Sequence, residues 1–498
     1  MMVPMLTTPH VINGQEVVPA DSHTVEVGNP ATGEVVTRVP LASSAEVDQA
    51  VGAAQDAFAS WRSVSLSRRV QILFRYRELL NSRKDELAAI ISREHGKVHS
   101  DALGEVTRGL EIVEFACGIP HLLKGAATQN ASTGVDVRSA RHPLGPVAVI
   151  TPFNFPAMVP MWFTPIAVAT GNTVILKPSE KDPSAVNWQV KLWQEAGLPD
   201  GVVNVLHGDK EAVNGLLNHP GIEAVSFVGS TPVARHVYET GTAAGKRVQA
   251  LGGAKNHMVV LPDANLDHAA DSAVSAGYGS AGERCMAISV VVAVEGIADE
   301  LVAKIAERTR GLTLQGEDQD LGPLISREHR DKVRSYVDEA EADGASLAVD
   351  GRSWSETEKP EAAVLGPTLL DRVTPQMPAY QDEIFGPVLS VVRVESYDEA
   401  MALINENPYG NGTAIFTRDG AAARHFEMDV QVGMIGVNVP IPVPMAYYSF
   451  GGWKNSLFGD THAHGMEGVD FYTRGKVVTS RWGDPAEGGL ELGFPQND

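Results

Sequence analysis

The chain has 498 residues, 43% hydrophobic and 20% charged, which is too long for one ordinary core and predicts two or three packed units. Its 40 lysines and arginines stand against 62 aspartates and glutamates, a formal charge of −22 that repels nucleic acid and anionic membrane. Two cysteines, Cys117 and Cys285, give no disulfide framework, and the N-terminal stretch has neither a basic start nor a long apolar run. These features predict a cytoplasmic protein with no nucleic-acid or membrane partner.

In chain order, Ala45 to Ser100 carries apolar residues at helical spacing. Ala127 to Arg141 is polar and alternating, like an extended hairpin arm. From Gly145 onward, β-branched runs alternate with helical patterns. GPVAVI, NTVILK, VVNVL and IEAVSFVG read as strands, and MVPMWFTPIAVA, AVNWQVKLWQEAG and the stretch from Thr231 read as helices. A second series begins near His257, with HMVVL, ISVVVAVE, LSVVRVE, TAIFT and MIGVN as strands and helices at NLDHAADSAVSAG and around Ala340 and Ala400. Such alternation predicts an α/β fold with parallel sheets buried on both faces, in two units that meet near Gly252–Gly253. The Gly- and Pro-rich acidic tail, residues 483–498, is expected to be flexible or partner-bound.

The sharpest cluster is GSAGERCMAIS. Gly279 and Gly282 allow close backbone approach, and Arg284 beside Cys285 is placed to lower the thiol pKa. Taken alone, a single cysteine is more often a small buried core residue. Cys117, in FACGIP, reads as structural. Gly277 to Gly282 satisfies G-x-G-x-x-G but follows a helical pattern, not a strand, which excludes it as a phosphate loop. ILKPSE ends a strand, so Lys177 and Glu180 are candidates to hold a ribose. A carboxylate there repels a 2′-phosphate and favours NAD over NADP. In FVGST, Ser230 stands at a helix start suited to a pyrophosphate. Ordinary turn chemistry accounts equally for each of these two segments by itself. No clustered His/Cys spacing suggests a metal site.

Together TPFNFP, ILKPSE, FVGST, LGGAKN, GERC and EIFGPVL occur in the order and approximate spacing of the aldehyde dehydrogenase superfamily, and the chain resembles it from about Val11 to about Arg481. The resemblance implies an aldehyde dehydrogenase-like fold with two parallel-sheet, Rossmann-like domains and a small β-rich oligomerisation arm. NAD binding would fall to residues 1–126 and 142–252, catalysis to 253–455, and the arm to 127–141 and 456–482. By the same resemblance Cys285 is the nucleophile and Asn154 the side-chain donor to the oxyanion. Thr151, Phe153, Lys177, Glu180, Lys181, Ser230, Gly252, Glu383 and Phe385 would line the cofactor site. A dimer or tetramer is implied.

One position departs from the common pattern. Hydrolytic members carry a glutamate just before LGG, and here that residue is Ala250, which cannot take a proton from water. A thiol acceptor needs less help, because a pKa near 8.5 leaves a few per cent thiolate at neutral pH. The departure favours coenzyme A as acyl acceptor, and with GSAGERCMAIS and PFNFPAMVPMWF it resembles the acylating methylmalonate-semialdehyde dehydrogenase branch. That branch implies a small semialdehyde substrate whose carboxylate is held by Arg284 and Arg108. Without the resemblance, a salt bridge from Arg108 to Glu105 or Glu111 is the plainer account of that residue; with it, the site is favoured. Two other expectations compete: a hydrolytic enzyme with a displaced base, and a non-catalytic protein on the same fold.

Overall fold

The computed structural model describes residues 6–314, 319–353 and 361–482. Two large sheets organise it. In the first, the strands run in the order Gln15–Val17, His10–Ile12, Val203–Val205, Thr173–Lys177, Pro146–Ile150, Ala224–Val228, Arg247–Leu251 and Leu457–Phe458. The five central strands are parallel, and antiparallel strands close both edges. Four of the five central strands are buried at every residue, as Val/Ile-rich strands covered on both faces must be.

The order of these five strands follows the Rossmann pattern. Pro146–Ile150, Thr173–Lys177 and Val203–Val205 step outward on one side, and then the chain returns to place Ala224–Val228 on the other. This reversal opens a crevice beyond the carboxyl ends of Pro146–Ile150 and Ala224–Val228, where open α/β sheets take ligands. The residues that follow those two ends are Thr151 to Asn154 and Gly229–Ser230.

The second sheet has the order Ser346–Val349, Thr368–Asp371, Val388–Val394, Ile288–Val294, Asn256–Val260, Gly412–Phe416 and Met434–Val437, all parallel except the first pair. The chain crosses from one sheet to the other through Gly252–Gly253. Apart from both, Ala127–Ser132, Val135–Pro143 and Thr473–Arg481 form a mostly exposed three-stranded antiparallel sheet.

Several elements were not anticipated. The helix Lys210–Asn218 fills the link between VVNVL and IEAVSFVG, started by the Asp209 side chain, which accepts from the Glu211 N–H. Arg247–Leu251 is a strand, and two N-terminal hairpins precede the helices. The 483–498 tail lies outside the described residues.

Candidate active site

Cys285 sits after a left-handed turn. The helix Leu266–Tyr278 ends, and Ser280, Ala281 and Gly282 follow with φ of 55°, 52° and 75°. A residue with a side chain costs about 1–2 kcal/mol in that conformation. At Gly282 a side chain is excluded twice, since its Cβ would also lie 2.1 Å from the Gly386 carbonyl oxygen. Two asparagines then fix the main chain of Cys285. Asn256 Nδ2 donates to the carbonyls of Cys285 and Ala287, both at 2.9 Å, and Asn411 Nδ2 donates to the Cys285 carbonyl at 3.1 Å.

The sulfur is not a resting thiolate. Burial pushes the Cys285 thiol up to about 12 and the Glu383 carboxylate pushes the same way, while the N–H groups of Cys285 and Met286 and the Arg284 guanidinium oppose them. Arg284 lowers the thiol as expected, but burial outweighs it, so the expected thiolate does not follow. Its guanidinium is engaged by Asp101 at 2.7 Å and fits against Gly279, where a Cβ would lie 2.5 Å from Nη1.

Glu383 is itself pushed up to about 7 by burial, held back by the Ala254 N–H at 2.9 Å and by Lys255. Burial also pushes Glu283 up to about 8. The Glu283 carboxyl accepts from the Ile325 N–H and lies 3.9 Å from His95 Nε2 and 3.7 Å from His329 Nε2. Burial holds both histidines below their usual range, so these are contacts between neutral groups at neutral pH.

Asn154 Nδ2 donates to the Glu283 carbonyl at 2.9 Å. A carboxamide has two N–H donors, and this bond uses one of them. Asn154 and Cys285 line one cleft of about 230 Å³, together with Phe153, Lys181, Ser230, Gly252, Glu383 and Phe385. Eight further residues line it, and Ile325, His329 and Lys332 among them lie outside every motif read from the sequence. Lys181 Nζ stands 5.1 Å from the centre of the Phe153 ring.

Thr151, Lys177 and Glu180 are not among the residues lining that cleft. They follow or end the two strands at its floor: the Thr151 N–H donates to the Lys177 carbonyl at 3.1 Å, and Lys177 Nζ pairs with Glu180 at 3.3 Å. Arg284 borders a smaller adjoining cavity with Cys285 and Glu383. Arg108 lines neither cavity. It pairs with Glu111 at 2.9 Å and donates to the Pro444 carbonyl at 3.2 Å, and Glu105 pairs with Lys97 instead. Asp101 and Arg108 are seven residues apart on the helix His99–Cys117, close to one face and about 10 Å apart along its axis. Cys117 is buried, and its thiol is raised to about 11 chiefly by burial, as befits a core residue.

A crevice at the strand reversal, a half-buried cysteine and a carboxamide lining the same cleft make up the candidate site. The family model for the aldehyde dehydrogenase family matches residues 17–478, and the chain belongs to that family. It is 53% identical over 482 residues to a malonate-semialdehyde dehydrogenase of Pseudomonas aeruginosa PAO1, covering 96% of this chain and 97% of that one. The crystal structure of a methylmalonate-semialdehyde dehydrogenase from Oceanimonas doudoroffii superposes with a TM-score of 0.95 at 52% identity, covering 97% of this chain and 99% of that one. A Sinorhizobium meliloti 1021 protein solved in complex with NAD gives a TM-score of 0.96 at 49% identity, covering 98% of this chain and 100% of that one.

Proposed function

We propose that this chain oxidises methylmalonate semialdehyde and malonate semialdehyde with NAD and releases propionyl-CoA and acetyl-CoA. The names of its relatives support the substrate class. Ala250 carries the choice of acceptor: it is fully buried in the Arg247–Leu251 strand, with a methyl where hydrolytic members hold their base.

The cleft fits NAD. The helix Thr231–Ala243 starts at Ser230 with no side-chain cap on its first N–H groups, which leaves its positive end for a pyrophosphate. The Thr151 hydroxyl is buried without a partner among the described residues, and Lys177, which ends the neighbouring strand, pairs with Glu180 to hold a ribose. Phe153, Lys181, Gly252, Glu383 and Phe385 complete the groove. Bound there, NAD supplies the hydride acceptor. Most of the cofactor groove belongs to the first sheet and Cys285 to the second, with Asn154, Glu383 and Phe385 reaching across that division.

Once ionised, Cys285 attacks the aldehyde carbon, and the Asn154 amide and the Cys285 N–H stabilise the resulting oxyanion. Oxidation leaves an acyl thioester on Cys285. The substrate carboxylate, β to that carbonyl, leaves as carbon dioxide while the thioester takes the electron pair as an enolate, which is then protonated. The coenzyme A thiolate displaces Cys285 and carries off the acyl group. Arg284 and Arg108 would exchange Asp101 and Glu111 for the substrate carboxylate.

The test is NADH production from both semialdehydes with and without coenzyme A. Strong dependence of steady turnover on coenzyme A is expected, and equal turnover without it would make the protein hydrolytic. Cys285→Ala should abolish NADH formation. Arg108→Leu should raise KM for the semialdehydes far more than for propanal; an equal rise would remove Arg108 from the site. The arm, residues 127–141 and 456–482, is proposed to assemble dimers or tetramers.

A further inference from the structure

Lys97 and Glu105 form a salt bridge at 2.8 Å whose side chains are 1% and 0% exposed. Neither was singled out for the site, and neither lines the cleft. The pair nonetheless holds both ends of the segment that carries Asn154. Lys97 Nζ donates to the Asn154 carbonyl at 2.6 Å and lies 4.6 Å from the centre of the Phe155 ring. The other Glu105 oxygen accepts the N–H groups of Ala157 and Met158, at 2.8 and 3.1 Å. Those residues begin the helix Met158–Thr170, whose N-cap residue Ala157 has no side-chain cap of its own.

A buried ion pair is weak evidence for stability, because apolar side chains of similar size often serve as well. Its distinctive contribution is direction. An ammonium with a carbonyl on one side and a carboxylate on the other fixes where that carbonyl stands. The carboxylate, in turn, fixes where the helix starts. Between the two points lie only Asn154 to Met158, so the Asn154 amide has little room to drift from Cys285.

We infer that Lys97 and Glu105 are positioning residues for the reaction, setting the main chain of Asn154 so that its amide meets the developing oxyanion. This rests on the roles proposed above for Asn154 and Cys285. A misplacement of about 1 Å at such a donor is enough to cost about 100-fold in rate.

The test uses Lys97→Met/Glu105→Leu, which removes both charges together and leaves no unpaired buried ion. Three quantities are read on the full-length protein: the rate of the first-turnover NADH burst, the rate of Cys285 alkylation by iodoacetamide, and hydrogen exchange across residues 154–158. Alkylation forms no oxyanion, so it isolates the nucleophile from the donor. The burst should slow about 100-fold, alkylation should be unchanged, and exchange should quicken. In an Asn154→Ala background the double replacement should cause no further loss, since the effect passes through that amide. An unchanged burst, a burst and alkylation that fall together, or losses that multiply with Asn154→Ala would each overturn the inference. Should the unaltered protein give no burst with any semialdehyde, the catalytic reading fails, and exchange alone then decides the clamp: unchanged protection overturns it and faster exchange supports it.

Discussion

Glu283 and Glu383 each keep a proton in the folded chain at a pH where an unfolded glutamate has lost it. The ordinary value is 4.5, and Glu283 is raised to about 8. Between those limits the folded state binds more protons, so this group's contribution to stability falls as the pH rises from about 4.5 to about 8. Glu283→Gln mimics the neutral acid. Its melting temperature should match that of the unaltered protein at pH 5 and exceed it by a few degrees at pH 8, measured by calorimetry at a fixed scan rate. A variant less stable at pH 8 would contradict the neutral-acid assignment. Glu383 acts on its neighbour instead. Its negative charge is one of the two causes holding the Cys285 thiol up. Glu383→Gln removes that charge, so iodoacetamide should alkylate Cys285 several-fold faster at pH 8, provided Glu383 is ionised there, as a value of about 7 implies.

Among the elements, the left-handed turn before Cys285 is the least like an ordinary loop. Ser280 holds a positive φ, and its buried hydroxyl has no hydrogen-bond partner among the described residues. Ser280→Gly removes both costs and is expected to stabilise the protein by about 1 kcal/mol, after the entropy that glycine adds to the unfolded chain. Gly282→Ala should do the opposite and suppress activity, because the methyl meets the Gly386 carbonyl. The alternation of strands and helices was legible because fully buried Val/Ile strands announce themselves. The turn was not. Serine and alanine carry no signal for a positive φ, and the glycines around them imitate a phosphate loop. The helix Lys210–Asn218 escaped for a different reason: it is short and interrupted by Gly215.

Across the whole molecule, the residues of the candidate site come from both sheets. Asn154, Ser230 and Gly252 follow strands of the first sheet, while Cys285 and Glu383 belong to loops of the second. Sequence motifs could mark each of these because each sits in a distinctive local string. Lys97, Glu105 and Asn411 sit in ordinary strings and matter only through contacts across long sequence distances, which no local pattern records. Asn256 was inside a quoted motif, yet its bond to the Cys285 carbonyl was invisible there. The arm poses a question at the same scale. Val477 and Trp482 are 68% and 88% exposed on its outer strand and just beyond it. If the arm joins subunits, Val477→Asp should shift the sedimentation coefficient toward that of the monomer while leaving the far-ultraviolet spectrum intact. An unchanged coefficient would exclude Val477 from the interface.

Gly282 and Gly386 touch backbone to backbone, and Val333 closes over Gly386 from the far side, within 2.6 Å of where a Cβ would stand. Both glycines line the smaller cavity beside Cys285, and where they meet there is no side chain to trim and no space to add one. Anyone seeking to broaden the range of aldehydes accepted would find it barren ground. Variation there should yield inactive clones, and altered selectivity should come from the larger cleft, where Phe153, Ile325 and His329 present side chains that can be exchanged.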